Sequence, residues 1–217
     1  MIDNKIAGMI DHTLLKANAT SAQIEKLCAE ARQYNFASVC VAPTWVELCR
    51  SLVMGSPVKV CAVIGFPLGN AASQAKTLEA KIAVEDGADE LDLVMNIGKL
   101  LDGDYDFVRD DIQSVVAAAN GRLVKVIIEF CYLNEEQIIK ACQLSKEAGA
   151  QFVKTSTGFG TSGATVEAVK LMRQTVGPDI GVKASGGIRN RDDALVMIKA
   201  GANRIGTSAG IAIVEAK

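Results

Sequence analysis

The chain has 217 residues, a formal net charge of -2 and 49% hydrophobic residues, which is enough apolar material for one substantial core and too little for two full domains. No basic run supports a nucleic-acid surface, and no apolar stretch is long enough to cross a bilayer, so neither nucleic acid nor membrane is expected as a partner. His12 is the only histidine. A multi-histidine metal site is therefore impossible, a histidine triad would hang on that one residue, and neither metal nor cofactor is expected.

Short β-branched runs alternate with segments of helical period along the whole chain. A short extra helix is predicted before Met9, then a strand over 9–14 and a helix over 21–33, where Ile24, Leu27, Cys28 and Ala31 follow the i, i+3, i+4, i+7 spacing of a buried stripe. Strand 38–41 and helix 44–53 come next, followed by strand 58–64 and helix 72–85. Strand 90–95 and helix 105–119 lead to strand 124–130 and helix 134–147. The pattern closes with strand 152–155, helix 165–176, strand 180–184, helix 191–199, strand 204–207 and helix 208–215.

Ser21 and Asn134 are expected N-caps, with Gln137 completing a capping box after Asn134. Gly87, Gly149, Gly177 and Gly201 stand where helices should stop. Glu-x-Gly-Ala at 85–88 and 147–150, with Lys-Ala-Gly-Ala at 199–202, reads either as a convenient turn or as the trace of a repeated βα unit.

Eight βα units with no break in composition predict a single domain over 1–217. Nearly continuous apolar strands imply that both faces of the sheet are covered. A closed (β/α)₈ TIM barrel accounts for the count better than an open doubly wound sheet. The six cysteines form no Cys-x-x-Cys pair and lie mostly in apolar runs, as reduced, buried thiols do in the cytosol. With no apolar targeting segment near Met1, a cytoplasmic location is expected.

In a barrel of this class the reactive residues gather at the C-terminal ends of the strands. Asp11, Asp92, Lys154 and Lys183 all interrupt strands late. A lone late-strand lysine reads as a side chain snorkelling to the rim. Two on consecutive strands bring two amines to one cavity, where burial and like charge both lower an amine's pKa and favour a nucleophilic lysine. Asp92, on the face shared with Glu90 and Val94, is placed to move protons for it. Asp11 either joins that chemistry or holds loops by hydrogen bonds. Glycine and hydroxyl clusters follow the last three strands, at 155–163, 185–189 and 206–210. Three of them on one rim suit a phosphate held by backbone N–H groups.

Six ordered motifs then carry a resemblance. They are Asp-His-Thr-Leu-Leu-Lys at 11–16, Ser-Val-Cys-Val-Ala-Pro at 38–43, Val-Ile-Gly-Phe-Pro-Leu-Gly at 63–69, Glu-Leu-Asp-Leu-Val-Met-Asn at 90–96, Val-Lys-Thr-Ser-Thr-Gly at 153–158 and Val-Lys-Ala-Ser-Gly-Gly-Ile-Arg at 182–189. Essentially end to end, the chain resembles the deoxyribose-phosphate aldolase family. That resemblance implies metal-free, reversible cleavage of 2-deoxy-D-ribose 5-phosphate to D-glyceraldehyde 3-phosphate and acetaldehyde. It makes Lys154 the Schiff-base lysine, Lys183 the neighbour that perturbs it, and Asp92 the proton carrier; Asp11 and Thr13 support the substrate hydroxyls. Thr157, Gly158, Gly186, Gly187, Arg189, Gly206 and Ser208 are the expected substrate and phosphate contacts, and Cys40 matches a cysteine near the site. A homo-oligomer, dimer or tetramer, is implied in the same way. Two features depart from the pattern. Some relatives have a lysine where this chain has Phe159, and some end in a tyrosine-bearing tail whereas this sequence ends Glu-Ala-Lys. The open alternatives are a class I aldolase with a ketone donor and a phosphosugar-binding barrel without carbon–carbon chemistry.

Overall fold

The computed structural model describes residues 3–215. In chain order the elements are α1 (Asn4–Ala7), β1 (Ile10–Leu14), α2 (Ser21–Tyr34), β2 (Ser38–Val41), α3 (Val46–Val53), β3 (Lys59–Ile64), α4 (Ser73–Glu85), β4 (Glu90–Val94), α5 (Ile97–Leu101), α6 (Tyr105–Ala118), β5 (Leu123–Ile127), α7 (Glu135–Glu147), β6 (Phe152–Lys154), α8 (Val166–Val176), β7 (Gly181–Ser185), α9 (Arg191–Ala200), β8 (Arg204–Thr207) and α10 (Gly210–Glu215). Single 3₁₀ turns precede α3, at Pro43–Trp45, and α7, at Phe130–Tyr132.

The eight strands close into a parallel barrel in sequence order, and the seam is made by β1 and β8, with Ile10 opposite Ile205. This is the (β/α)₈ barrel expected from the pattern, and the open sheet is excluded. The short leading helix is present as α1, capped by the Asp3 carboxylate at its own first turn and tied to the end of the chain by Asp3 N–H donating to the Val214 carbonyl. Among the described residues no helix is long and apolar enough to cross a membrane.

Strand alternation divides the barrel into two environments. Outward residues such as Val39, Val60, Leu91, Leu93, Val124, Val126, Val153, Val182 and Ile205 join the main core beneath the helices. Inward positions carry Asp11, Glu90, Asp92, Lys125, Lys154 and Lys183, all buried. The interior thus carries the charge, beside a small apolar cluster of Cys40, Cys61 and Val63, and the sheet's outer face supplies most of the hydrophobic burial.

Several boundaries differ from expectation, each for a local reason. Strand β5 stops at Ile127, short of residue 130, because Glu129 takes a left-handed conformation (φ 47°) and the chain turns into the 3₁₀ segment. The cap of α2 is Thr20, not Ser21, reciprocally paired with Gln23. Helix α5 was not anticipated; five residues carry too short a period to register, and its signal is Asn96, whose side chain caps Lys99 N–H. The final helix starts at Gly210, later than residue 208. The Gly-Ala repeats are turns of one kind: Ala88, Ala150 and Ala202 each donate back to the carbonyl five residues earlier, with Gly87, Gly149 and Gly201 at positive φ. This is the helix-ending motif that a left-handed glycine permits.

Candidate active site

The charged interior is organised around Asp92. Its Oδ2 accepts from Lys154 Nζ at 2.8 Å and from Lys183 Nζ at 2.7 Å; its Oδ1 accepts from Lys125 Nζ at 3.0 Å and the Cys61 thiol at 3.2 Å. Pairing of parallel strands produces this geometry. Asp92 faces Lys125 across β4 and β5, and Lys154 faces Lys183 across β6 and β7. The shared oxygen holds the amines of Lys154 and Lys183 within about 6 Å of each other, inside the range where charges couple strongly.

Below this layer lies a second one. Asp11 pairs with Lys183, accepts from the Ser38 hydroxyl at 2.6 Å and from Arg204 at 2.5 Å. Glu90 pairs with Lys125 at 2.5 Å and with Arg204 at 3.0 Å. Asp11 therefore does point into the barrel, but under Lys183 and not towards the open mouth. Thr13 lines the mouth, and its hydroxyl donates to the Asp11 carbonyl at 2.8 Å.

Burial alone would discharge these groups; their mutual attraction outweighs it. Burial opposes the charge of Asp92, yet Lys125, Lys154 and Lys183 hold its carboxyl well below the usual range. Asp11 is likewise lowered, by Lys183, Lys125 and Arg204 against burial. Lys183 is raised by Asp11 and Asp92 against the same opposing burial, and Lys125 is raised in the same manner. Lys183 is thus not an amine lowered by burial and like charge, because two carboxylates flank it.

A cavity of about 330 Å³ opens above this network at the C-terminal end of the barrel. Lys154 lines it, as do Thr157, Gly158, Gly186, Gly187, Arg189, Gly206 and Ser208. All the expected rim residues thus converge on one space, joined by Lys16 and Phe159. Phe159 is 58% exposed and meets Phe66 edge-on, with ring centroids 5.3 Å apart. At Gly206, which lines the cavity, a Cβ would lie 3.0 Å from Lys183 Cε and from Ser185 Cβ, so its bare Cα makes room for the lysine.

Sequence reasoning missed four members. Lys125 was readable in principle as a charge inside the apolar run Leu-Val-Lys-Val-Ile, while Arg204 and Glu90 looked like ordinary strand-start residues. Glu129 had no signal, since only the fold brings its buried carboxylate to Thr157, where it accepts from the N–H at 3.1 Å and from the hydroxyl. That contact fixes the turn that carries Gly158. Thr157 Oγ1 in turn accepts from Phe159 N–H at 3.0 Å. The arrangement as a whole can present one amine to a small carbonyl compound, shuttle a proton through an adjacent carboxylate, and surround an anion with small residues.

Comparison with known proteins agrees with this geometry. The family described as DeoC/LacD family aldolase matches residues 5–216. A deoxyribose-phosphate aldolase of Geobacillus sp. (strain WCH70) is 61% identical over 217 residues, covering 100% of this chain and 97% of the relative. The crystal structure of a putative deoxyribose-phosphate aldolase from Coccidioides immitis superimposes with a TM-score of 0.95 at 46% identity, covering 97% of this chain and 85% of that one. A deoxyribose phosphate aldolase from Aeropyrum pernix, described as having a unique tetrameric structure, gives a TM-score of 0.91 at 37% identity, covering 98% and 90%. By its sequence along almost its full length and by its barrel, the chain belongs to the DeoC/LacD family of aldolases.

Proposed function

We propose that this aldolase reversibly cleaves 2-deoxy-D-ribose 5-phosphate to D-glyceraldehyde 3-phosphate and acetaldehyde through a Schiff base on Lys154. One observation carries the choice of nucleophile: of the three lysines that ring Asp92, Lys154 alone lines the cavity. The substrate comes from the names of the close relatives.

The Lys154 amine attacks C1 of the open-chain sugar, and the resulting carbinolamine loses water to give an iminium. Asp92 takes up and returns the protons of these steps, with the cationic Lys183 holding its shared oxygen in place. The C3 hydroxyl then passes its proton to Asp92, the C2–C3 bond breaks, and its electron pair moves into the iminium to form an enamine. The C3–C5 fragment leaves as the phosphorylated aldehyde. Protonation of the enamine at C2 and hydrolysis release acetaldehyde and restore Lys154. Asp11 supports Lys183 from below, Thr13 contacts substrate hydroxyls, and the phosphate sits among Gly158, Gly186, Gly187, Gly206 and Ser208, with Thr157 and Arg189 beside it.

This chemistry requires neither metal nor cofactor. The six free cysteines support operation in a reducing cytoplasm, and the tetramer described for the Aeropyrum pernix relative supports assembly into a dimer or tetramer. Borohydride trapping tests the central step. Acetaldehyde plus borohydride should label Lys154 covalently; labelling only with a ketose phosphate would favour a ketone-donor aldolase, and unchanged cleavage by Lys154→Leu would sink the Schiff base altogether.

A further inference from the structure

Four neighbouring loops bound the cavity above Lys154. Strands β6, β7, β8 and β1 follow one another around the closed barrel, and every residue that lines the cavity lies at the end of one of them or just beyond it. Phe159 stands on the β6 flank and Lys16 on the β1 flank, with Arg189 after β7 between them. Among the described residues that line the cavity three are cationic, Lys16, Lys154 and Arg189, and none is acidic. The chain as a whole has a net charge of -2, so this excess of positive charge is local and suits an anion.

The three cations differ in what they are free to do. Lys154 is paired with Asp92 at 2.8 Å and is committed to the carbonyl. Among the described residues, neither Lys16 nor Arg189 takes part in an ion pair. A phosphate monoester carries about 1.5 to 2 negative charges at pH 7, more than one arginine neutralises, and the β6 flank offers only the phenyl ring of Phe159. Lys16 approaches from the other flank. His12 faces Thr207 across the β1–β8 seam, which sets the loop after β1 beside the loop that carries Ser208. Leu14 packs against the main core and Leu15 against Cys40, Cys61 and Val63, while the Lys16 carbonyl accepts from Ala19 N–H at 3.0 Å. The backbone is held on both sides of Lys16, and its side chain is left exposed.

We propose that Lys16 binds the substrate phosphate and is the residue that makes this enzyme prefer a phosphorylated sugar. The identity of that substrate rests on the function proposed above; the binding of an anion by Lys16 does not. An ammonium on a flexible stem acts as a point charge, so it adds attraction to the directional N–H groups of the glycine loops without competing for their geometry. The phosphate lies at the far end of the sugar from the bond that breaks. Its contact with Lys16 is therefore the same before and during the reaction, and losing it raises KM while leaving kcat.

The test uses the full-length protein and the variants Lys16→Met, which keeps the stem without the charge, and Lys16→Arg. For 2-deoxyribose 5-phosphate, Lys16→Met should raise KM about tenfold, the scale of one lost contact to a charged group, with kcat within about twofold. Its KM for unphosphorylated 2-deoxyribose should stay within about twofold, and Lys16→Arg should restore most of the affinity for the phosphorylated sugar. Lys81→Met removes the same charge from the exposed side of α4 and should change neither constant. Binding is read without turnover by titrating inorganic phosphate and following its phosphorus resonance, whose broadening by the native protein should be largely lost in Lys16→Met. An unchanged KM in Lys16→Met, an equal loss on both sugars, or an equal loss in Lys81→Met overturns the assignment. Phosphate signals that respond alike to the native protein and to Lys16→Met overturn it as well. A native protein that binds phosphate through Lys16 but cleaves no 2-deoxyribose 5-phosphate supports the site and counts against the proposed reaction.

Discussion

Lys154 and Lys183, opposite each other on β6 and β7, donate to the same oxygen of Asp92 at 2.8 and 2.7 Å, yet only Lys154 reaches the cavity. The covered lysine is fixed by Asp11 beneath it and by the absence of a side chain at Gly206. A substitution can therefore disturb Lys183 without touching its charge.

Gly206→Ala places a methyl 3.0 Å from Lys183 Cε, and a fully buried side chain has little room to retreat. A displacement of about 1 Å in a catalytic group costs on the order of 10²-fold in rate. We expect kcat for 2-deoxyribose 5-phosphate to fall about that far with KM within about twofold, in steady-state assays. A rise in KM at constant kcat would instead mean that the methyl acts on the phosphate site alone and leaves Lys183 undisturbed.

The same network sets a stability prediction. Asp92→Asn leaves the cationic Lys125 and Lys183 facing one carboxylate fewer, and breaking a buried pair in this way costs about 3–5 kcal/mol. Because the folded Asp92 pKa is lowered, its contribution is complete above the unfolded value near 3.9 and is lost as pH falls through the folded one. Lys183 and Lys125, raised in the fold, contribute fully below about 10.4 and lose their contribution as pH rises through their folded values. Denaturant unfolding of the two proteins should then show a constant gap from about pH 5 to 9, narrowing only below about pH 4. A gap that closes between pH 6 and 8 would contradict the assignment.

These groups differ in how far the sequence discloses them. Asp92, Lys154 and Lys183 stand out because each breaks an apolar strand near its end, and the strands themselves follow from their β-branched runs. Lys125 breaks a strand too, but its value lies in facing Asp92 across a pairing that only barrel closure defines. Glu129 is illegible for a stronger reason. Its neighbours Ile128 and Phe130 continue the apolar run, and the left-handed turn that aims its carboxylate at Thr157 runs against the local preference of glutamate.

Glu129 is expected to act on binding and not on chemistry. It holds the Thr157 N–H and hydroxyl in the turn bearing Gly158, while Lys154 sits three residues earlier with its own partners. Glu129→Gln has one acceptor oxygen in place of two, and an unmet hydrogen bond at a buried site costs about 1–3 kcal/mol. KM for the phosphorylated sugar should rise about tenfold with kcat largely kept, and KM for unphosphorylated 2-deoxyribose should move little. An equal loss on both sugars would tie Glu129 to Lys154 and not to the phosphate turn.

Phe159 offers the opposite change, a gain. It lines the cavity next to Gly158, and it is more than half exposed. Phe159→Lys gives up the edge contact with Phe66, worth about 0.5–1.5 kcal/mol, and this should appear as a modest drop in unfolding free energy. In exchange an ammonium reaches the rim, where a hydrogen bond to a charged group contributes about 1.5–3 kcal/mol. KM for 2-deoxyribose 5-phosphate should fall about tenfold, the gain should shrink as salt screens the new charge, and KM for unphosphorylated 2-deoxyribose should stay within about twofold. A gain that survives high salt, or that extends to the unphosphorylated sugar, would mean that removing the aromatic ring had widened the cavity, and would take the phosphate away from this part of the rim.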